Sequence, residues 1–406
     1  MARVRCGSMD STATRFAERA ASHESHNRLA KAQHFAELSL LMQPDHPLAG
    51  LVAARCARRA GHLEQALNLL AGVPEEAMIS DHLFEHGRIL DKLGHHEAAI
   101  HTYAQANTVR TSEFPSVDRT LLLRFIEQLS SCFRASWVQQ WAPLPPSSRP
   151  APLFMVGFNR SGTTLLDRML DAHPAIHVLE ETAAIDQAQR TLGHIYPHGL
   201  ATLSQDDLQR ARQAYFEVID AHRPDGFSGL VVDKLPMSTI ALGLIHRLFP
   251  SAKVVFSLRH PMDVVLSNFM QRYAPNPITC HFDSLSNAAN VYAKVMALGL
   301  QLREVLPISV LDVRYEDLVT DWNREVRRVL SFAGLPWDPQ VQTYLQRTQQ
   351  QGAIHTPSYD QVVEPVNRKA VGRWTKYSAE MASLVPTLAP FIEAFGYGST
   401  DPSGQA

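Results

Sequence analysis

The stretch PLFMVGFNRSGTTLLDRML, residues 152–170, decides how this chain is read. It opens as an apolar run, turns through a tight loop bracketed by Gly157 and Gly162, and continues in a helical pattern. Strand, glycine-bounded loop and helix form the layout of a phosphate-binding loop, where backbone amides and the positive helix end face an anion. Loops that hold the β- and γ-phosphates of a nucleoside triphosphate carry Gly-Lys-Ser or Gly-Lys-Thr here. In this chain Gly162 is followed by Thr163 and Thr164. The amides from Asn159 through Ser161 to Thr164 can line a nest, the threonines add hydroxyl donors, and Arg160 supplies a cation from inside the loop. Such a loop suits a terminal anion and need not serve Mg-assisted phosphoryl transfer. A plain strand–turn–helix corner has the same pattern, so the flanking sequence must separate the two.

Downstream, short apolar runs (LFMVGF, GLVVDKL, AKVVFSLR and PISVLDVRY) alternate with helical patterns. That alternation predicts an α/β domain with a P-loop-like parallel sheet covered by helices, whose ligands sit beyond the carboxyl ends of the strands. The polar motifs fall just there. Upstream, WAPLPPSSRPAP (141–152) cannot continue a helix and reads as a semi-rigid linker. Before it the chain is repetitive. GHLEQALNLLAGV from Gly61 and GHHEAAIHTYAQA from Gly94 share Gly-His-x-Glu-x-Ala, with Ala66 and Ala99 33 residues apart and Ala32 another 34 upstream. Glycine allows the turn between paired helices, alanine their close approach, and Leu70 or Tyr103 fills the space between them. This resembles the tetratricopeptide repeat, an all-α stack that commonly presents a concave binding surface. The repeats are assigned to 26–140, with the segment RTLLLRFIEQLSSCFRASWVQQW as their cap; residues 1–25 are expected to be disordered and 399–406 to form a flexible tail.

The 406 residues suit two or three domains at about 150 each. A net charge of -2 points away from nucleic acid and anionic membranes as partners. Cys6, Cys56, Cys132 and Cys280 are scattered, without metal or redox spacing, and fit reduced thiols. No apolar run follows the basic N-terminus and none reaches 18 residues, so neither a signal peptide nor a membrane span is expected.

The resemblance then becomes specific. VGFNRSGTTLLDRMLDAHPAIHVLEET resembles the 5′-phosphosulfate loop of the sulfotransferases that use 3′-phosphoadenosine 5′-phosphosulfate, in particular the tyrosylprotein sulfotransferases and their bacterial relatives. VVFSLRHPMDVVLSNFMQRY is similar to the family's 3′-phosphate element, a strand ending in arginine with a serine eight residues later, here Arg259 and Ser267. VDKLP with Lys234, VRYEDL with Tyr315, and SYDQVVEPVN ahead of VGRW also match. The resemblance covers roughly residues 151–397 and implies a sulfotransferase domain over 153–398.

Chemistry runs beside the match. Arginine forks two donors onto a phosphate and serine adds another, which suits Arg259 and Ser267. His260, beside the proline that starts the next helix, reads as structural. Of the adjacent Glu180 and Glu181, the resemblance selects Glu181 as the base that takes the acceptor's proton. The small-molecule branch of the family uses a histidine, but VVDKLP has none; His173 and His177 near the loop are the rivals. Lys234 can offset negative charge growing on the leaving bridge oxygen. The resemblance adds Ser358 at the reacting group, Arg373 on a phosphate and Tyr315 at the 3′-phosphate end. Trp374 reads equally as core or lid. The implied reaction is direct in-line sulfuryl transfer from 3′-phosphoadenosine 5′-phosphosulfate, with Arg160, Lys234 and Ser358 offsetting charge and no metal required. The acceptor is a hydroxyl: a tyrosine of a peptide or protein held with help from the repeats, or a small phenol, sugar or lipid. The expected setting is a bacterial cytoplasm. Two rivals remain, a phosphoryl-transfer enzyme, disfavoured by the missing lysine, and a repeat scaffold with a decayed nucleotide domain.

Overall fold

A computed structural model describes residues 2–74, 77, 79–143, 145–350 and 364–398. The chain divides into two compact units. Among the described residues the first comprises 2–117 together with 269–285. It contains helices α1 (Ala2–Ser25), α2 (Leu29–Met42), α3 (Pro47–Arg59), α4 (Leu63–Ala71), α5 (Ser80–Leu93) and α6 (His96–Glu113). They pack as hairpins, α1 on α2, α3 on α4 and α5 on α6. Gly61 and Gly94 turn two of the hairpins with φ of 88° and 85°, a region open to glycine without strain. Ala32, Ala66 and Ala99, the positions that set the repeat register, are fully buried, and Leu70 and Tyr103 fill the gaps beside them.

The expectation of disorder over residues 1–25 is corrected. Ala13, Ala17 and Ala20 lie on one helical face and are fully buried in α1, with Ala20 joining Ala32, Ala36 and Val52 in one cluster. A face made of alanine closes tightly on its neighbours but lacks the large apolar side chains that mark an amphipathic helix.

The domain boundaries also move. The segment assigned as a cap, α7 (Leu121–Cys132), belongs to the second unit. Gln301 donates to the carbonyls of Ser130 (2.8 Å) and Phe133 (2.7 Å), and the Phe133 ring lies where a Cβ on Gly243 would stand. The proline-rich 141–152 is not a free linker, because the second unit fastens it. Arg247 donates to Ala142 O (2.8 Å), Arg212 donates to Pro145 O (2.9 Å), and Arg149 makes a two-pronged pair with Asp220 at 2.7 Å. Residues 269–285, expected in the α/β domain, cluster with the helical unit instead: Asn107 donates to Phe269 O (3.0 Å) and Arg110 to Tyr273 O (3.0 Å).

The second unit is built on five parallel strands: β1 (Leu153–Gly157), β2 (Ile176–Glu180), β3 (Leu230–Lys234), β4 (Lys253–Leu258) and β5 (Ser309–Arg314). Their order is β2-β3-β1-β4-β5, so β1 is central, and all five of its residues are buried, as a strand covered on both faces must be. The strands are accompanied in sequence by α8 (Ala135–Val138), α9 (Thr163–Asp171), α10 (Ala184–Leu192), α11 (Gln205–His222), α12 (Leu242–Leu248) and α13 (Pro261–Phe269). Among the described residues no helix is long and apolar enough to cross a membrane.

Buried Asp233, on β3, accepts a hydrogen bond from the Tyr215 hydroxyl of α11 at 2.7 Å. Burial raises its carboxyl from the ordinary 3.8 to about 6, with the Tyr215 bond pulling the other way. An acid with a raised folded pKa contributes stability below its unfolded pKa and loses it as pH rises through the folded value. The penalty is therefore complete above about pH 6 and amounts to about 3 kcal/mol. Asp233→Asn, which still accepts from Tyr215, is expected to raise the melting temperature by several degrees at pH 8 and to change it little at pH 4. Thermal melts at the two pH values check this; an equal shift at both would remove the ionisation argument.

Candidate active site

Five strand ends form one row. In sheet order it runs from Glu180 and Glu181 at β2, through Lys234 closing β3 and the loop after β1, to Arg259 after β4 and Tyr315 after β5. Adjacent members are set about 4.8 Å apart by strand spacing. The sheet thus collects residues far apart in sequence on one edge, with the glycine-bounded loop in the middle.

The loop is shaped by local backbone constraint. A Cβ on Gly157 would run into the carbonyl of Ser257, so β1 and β4 meet there at glycine distance. Gly162 has φ 87° at the start of α9, and a Cβ on it would lie 2.5 Å from Tyr315 Cδ2, which places Tyr315 against the loop. Arg160, not a glycine, is also left-handed at φ 71°. That conformation costs about 1 kcal/mol or more and persists where surroundings impose it. Here they do: Arg160 Nε donates to Ser267 Oγ (3.0 Å), Arg160 O accepts from Arg259 Nη1 (3.2 Å), and Asn159 O accepts from Asn268 Nδ2 (2.9 Å). Ser161 N–H closes the turn on Phe158 O at 3.2 Å, and Thr163 and Thr164 are buried in the first turn of α9. Ser267 therefore meets the Arg160 side chain, while the Arg259 guanidinium reaches the loop at the Arg160 carbonyl.

Arg259 is buried, donates also to Ala370 O (2.5 Å) and lies over the Tyr315 ring at 4.9 Å. Its Nε has no hydrogen-bond partner among the described residues. Four residues on, in the first turn of α13, the buried Asp263 accepts from the backbone amides of Gly372 (2.7 Å) and Trp374 (2.9 Å). This clamps the backbone on both sides of the half-buried Arg373. Asp263 was missed in sequence; its place in the first turn of α13, four residues after Arg259, was the available signal. Trp374 is core, stacked at 5.5 Å on His260, whose burial lowers its pKa to about 4 and keeps it uncharged.

At the other end of the row Lys234 is completely buried, 0% exposed. Its Nζ is 3.1 Å from Asp167 Oδ2, 3.6 Å from Glu181 Oε1 and 3.7 Å from Glu180 Oε2. Glu180 is also paired with Arg168. Asp167, on α9, was not anticipated. Its burial pushes its carboxyl up, against the pull of Lys234 and Arg168. Glu181 is left-handed at φ 51°, with its N–H donating to Lys234 O at 2.7 Å. Its side chain is 48% exposed, against 24% for Glu180, so of the three carboxylates it is the one open to an incoming group. His173 is engaged at both ring nitrogens, with Pro336 O (3.0 Å) and Ala175 N–H (3.1 Å). His177 alternates with Glu180 along β2, so it points to the other face of the sheet; there it lies 3.6 Å from Asp171. Ser358 lies outside the described residues.

The profile of the sulfotransferase family matches residues 152–339. An uncharacterised protein of Aquifex aeolicus is 25% identical over 80% of this chain and 43% of its own length, so the match spans less than half of that relative. Protein-tyrosine sulfotransferase 2 of Gallus gallus is 29% identical over 63% of this chain and 74% of its own; human protein-tyrosine sulfotransferase 1 is 29% identical over 62% and 73%. The solved sulfotransferase domain of the Synechococcus PCC 7002 olefin synthase aligns with TM-score 0.43 at 22% identity, over 64% of this chain and 100% of that domain.

Proposed function

We propose that this chain transfers a sulfuryl group from 3′-phosphoadenosine 5′-phosphosulfate to an acceptor hydroxyl, with a tyrosine of a peptide or protein as the acceptor. The observation that carries the reading is the row of strand ends: a buried lysine among carboxylates at one end, an anion loop in the middle, and Arg259 at the other. The residues fit a nucleotide with anionic groups at both its 5′ and its 3′ end. The nine-residue α9 opens on the loop with its positive end, and Arg259 keeps a buried Nε with no hydrogen-bond partner among the described residues. The donor supplies the sulfuryl group and a leaving group that is already a stable phosphate. The loop amides and Arg160 orient the 5′ end, while Arg259, Ser267, Tyr315 and Arg373 hold the 3′-phosphate. Glu181 accepts the acceptor's proton, and Lys234, with Ser358, offsets charge on the oxygen released. The tyrosine acceptor is supported by the names of the animal relatives, and the helical unit is assigned to holding the acceptor chain. A small phenol, sugar or lipid hydroxyl is what the assay must distinguish.

The product 3′-phosphoadenosine 5′-phosphate is expected to raise the melting temperature, and adenosine 5′-phosphate to do so much less. Loss of one charge-assisted contact costs about 1.5–3 kcal/mol, roughly tenfold to a hundredfold in affinity. Equal shifts from the two nucleotides would count against the 3′-phosphate assignment. Incubation with sulfur-labelled donor and either tyrosine peptides or small phenols then identifies the acceptor class.

A further inference from the structure

We propose that Asp167 is a positioning residue for the transfer step: it is the fixed counter-charge of Lys234, and it thereby leaves Glu181 free for the acceptor's proton. The inference rests on the sulfuryl-transfer reading above. A fully buried ammonium is costly without an opposite charge beside it, so Lys234 needs a counter-charge within its buried surroundings. Three carboxylates are in reach. Glu180 is the farthest at 3.7 Å and 24% exposed, and Glu181 is half-exposed and positioned for an incoming group; Asp167 also meets Arg168, but through Oδ1, which leaves Oδ2 for the lysine. Asp167 is 1% exposed, closest to Nζ at 3.1 Å, and without a duty toward solvent. It also stands one turn along the helix whose first residues, Thr163 and Thr164, follow the loop. One rigid helix thus places both the anion-binding amides and the counter-charge of the lysine.

During transfer the acceptor oxygen bonds to sulfur while its proton passes to Glu181. The bond from sulfur to the bridging phosphate oxygen breaks, and its electron pair stays on that oxygen. The ammonium of Lys234 must lean toward that oxygen without drawing on Glu181. Were Glu181 the lysine's principal partner, its carboxylate would be a weaker base and the ammonium would be held away from the leaving group.

The groups facing Lys234 are Asp167 and Arg168 from α9 and Glu180 and Glu181 at the end of β2. Removing the Asp167 charge disfavours the ammonium, so the alkaline limb of the rate profile moves to lower pH. The test compares wild type with Asp167→Asn, Asp167→Glu, Lys234→Met and the Asp167→Asn/Lys234→Met pair. It measures kcat from about pH 6 to about pH 10 and affinity for 3′-phosphoadenosine 5′-phosphate. Asp167→Asn is expected to lower kcat about tenfold to a hundredfold at neutral pH, shift the alkaline limb down and leave nucleotide affinity within about twofold. In the Lys234→Met background it should lower kcat no further, since it acts through the lysine. Should Asp167→Asn fail to fold, Asp167→Glu keeps the charge but displaces it: kcat falls and the alkaline limb stays. Wild-type kcat and profile in folded Asp167→Asn, wild-type kcat in Asp167→Glu, or a full further loss in the pair would overturn the proposal. A wild-type protein that transfers no sulfuryl group removes the functional reading and this inference with it; an active wild type with an indifferent Asp167 removes this inference alone.

Discussion

Glu181→Gln lowers turnover by about a hundredfold to ten-thousandfold and leaves binding of 3′-phosphoadenosine 5′-phosphate intact, the expected loss for a general base. The amide keeps the shape of the side chain and still hydrogen-bonds, but it cannot take a proton. Glu180→Gln is expected to be much milder in turnover, because Glu180 pairs with Arg168 and is less exposed. Acceptor acidity gives an internal control. A phenol of low pKa is already ionised at neutral pH, so the Glu181→Gln penalty should shrink along a series of increasingly acidic phenols. Initial rates across that series check the assignment. Near wild-type turnover in Glu181→Gln, with loss in His173→Ala or His177→Ala, would hand the role to a histidine. The present contacts of His173, both ring nitrogens engaged, point the other way.

Lys234→Met carries two expected losses that separate cleanly. Turnover falls about a hundredfold to a thousandfold, the scale for removing one donor aimed at developing negative charge. Stability falls as well, by about 3–5 kcal/mol, because Asp167 is left as a buried charge without its 3.1 Å partner. Adding Asp167→Asn should recover much of the melting temperature and none of the turnover. Recovery of both would mean that Lys234 matters only for folding.

The strand–loop–helix at 152–171 was legible because three local signals coincide: an apolar run of strand length, glycines where the backbone must turn, and a helical pattern after them. The row of strand ends was legible for a related reason, since a parallel sheet puts polar strand-terminal residues on one edge. Asp167 and Asp263 were not legible. A single aspartate on a helix looks the same in sequence whether it faces water or a buried cation, and only the fold brings Lys234 or the 372–374 backbone to it. The unit boundary was hidden similarly. Residues 269–285 run on from the end of α13, and their place with the helical unit depends on partners distant in sequence such as Tyr103, which meets Phe269 edge-on, and Asp81, which pairs with Arg272. The helix α1 escaped notice because its buried face is alanine.

The strand order has a kinetic consequence. Leu153 of the central strand pairs with Val232 on one side and Lys253 on the other, so neither pairing closes a short loop. Parallel pairings over such separations form late and slowly, because chain entropy is lost before any contact compensates it. A partly folded chain therefore holds the loop without Lys234 and Arg259, and no fragment of the row has the affinity of the whole. Any ligand that bridges the row binds only the completed sheet. At a hundred times its Kd it would add about 2.7 kcal/mol to the folded state and slow its loss, so the abundance of the intact protein would follow the supply of its own nucleotide.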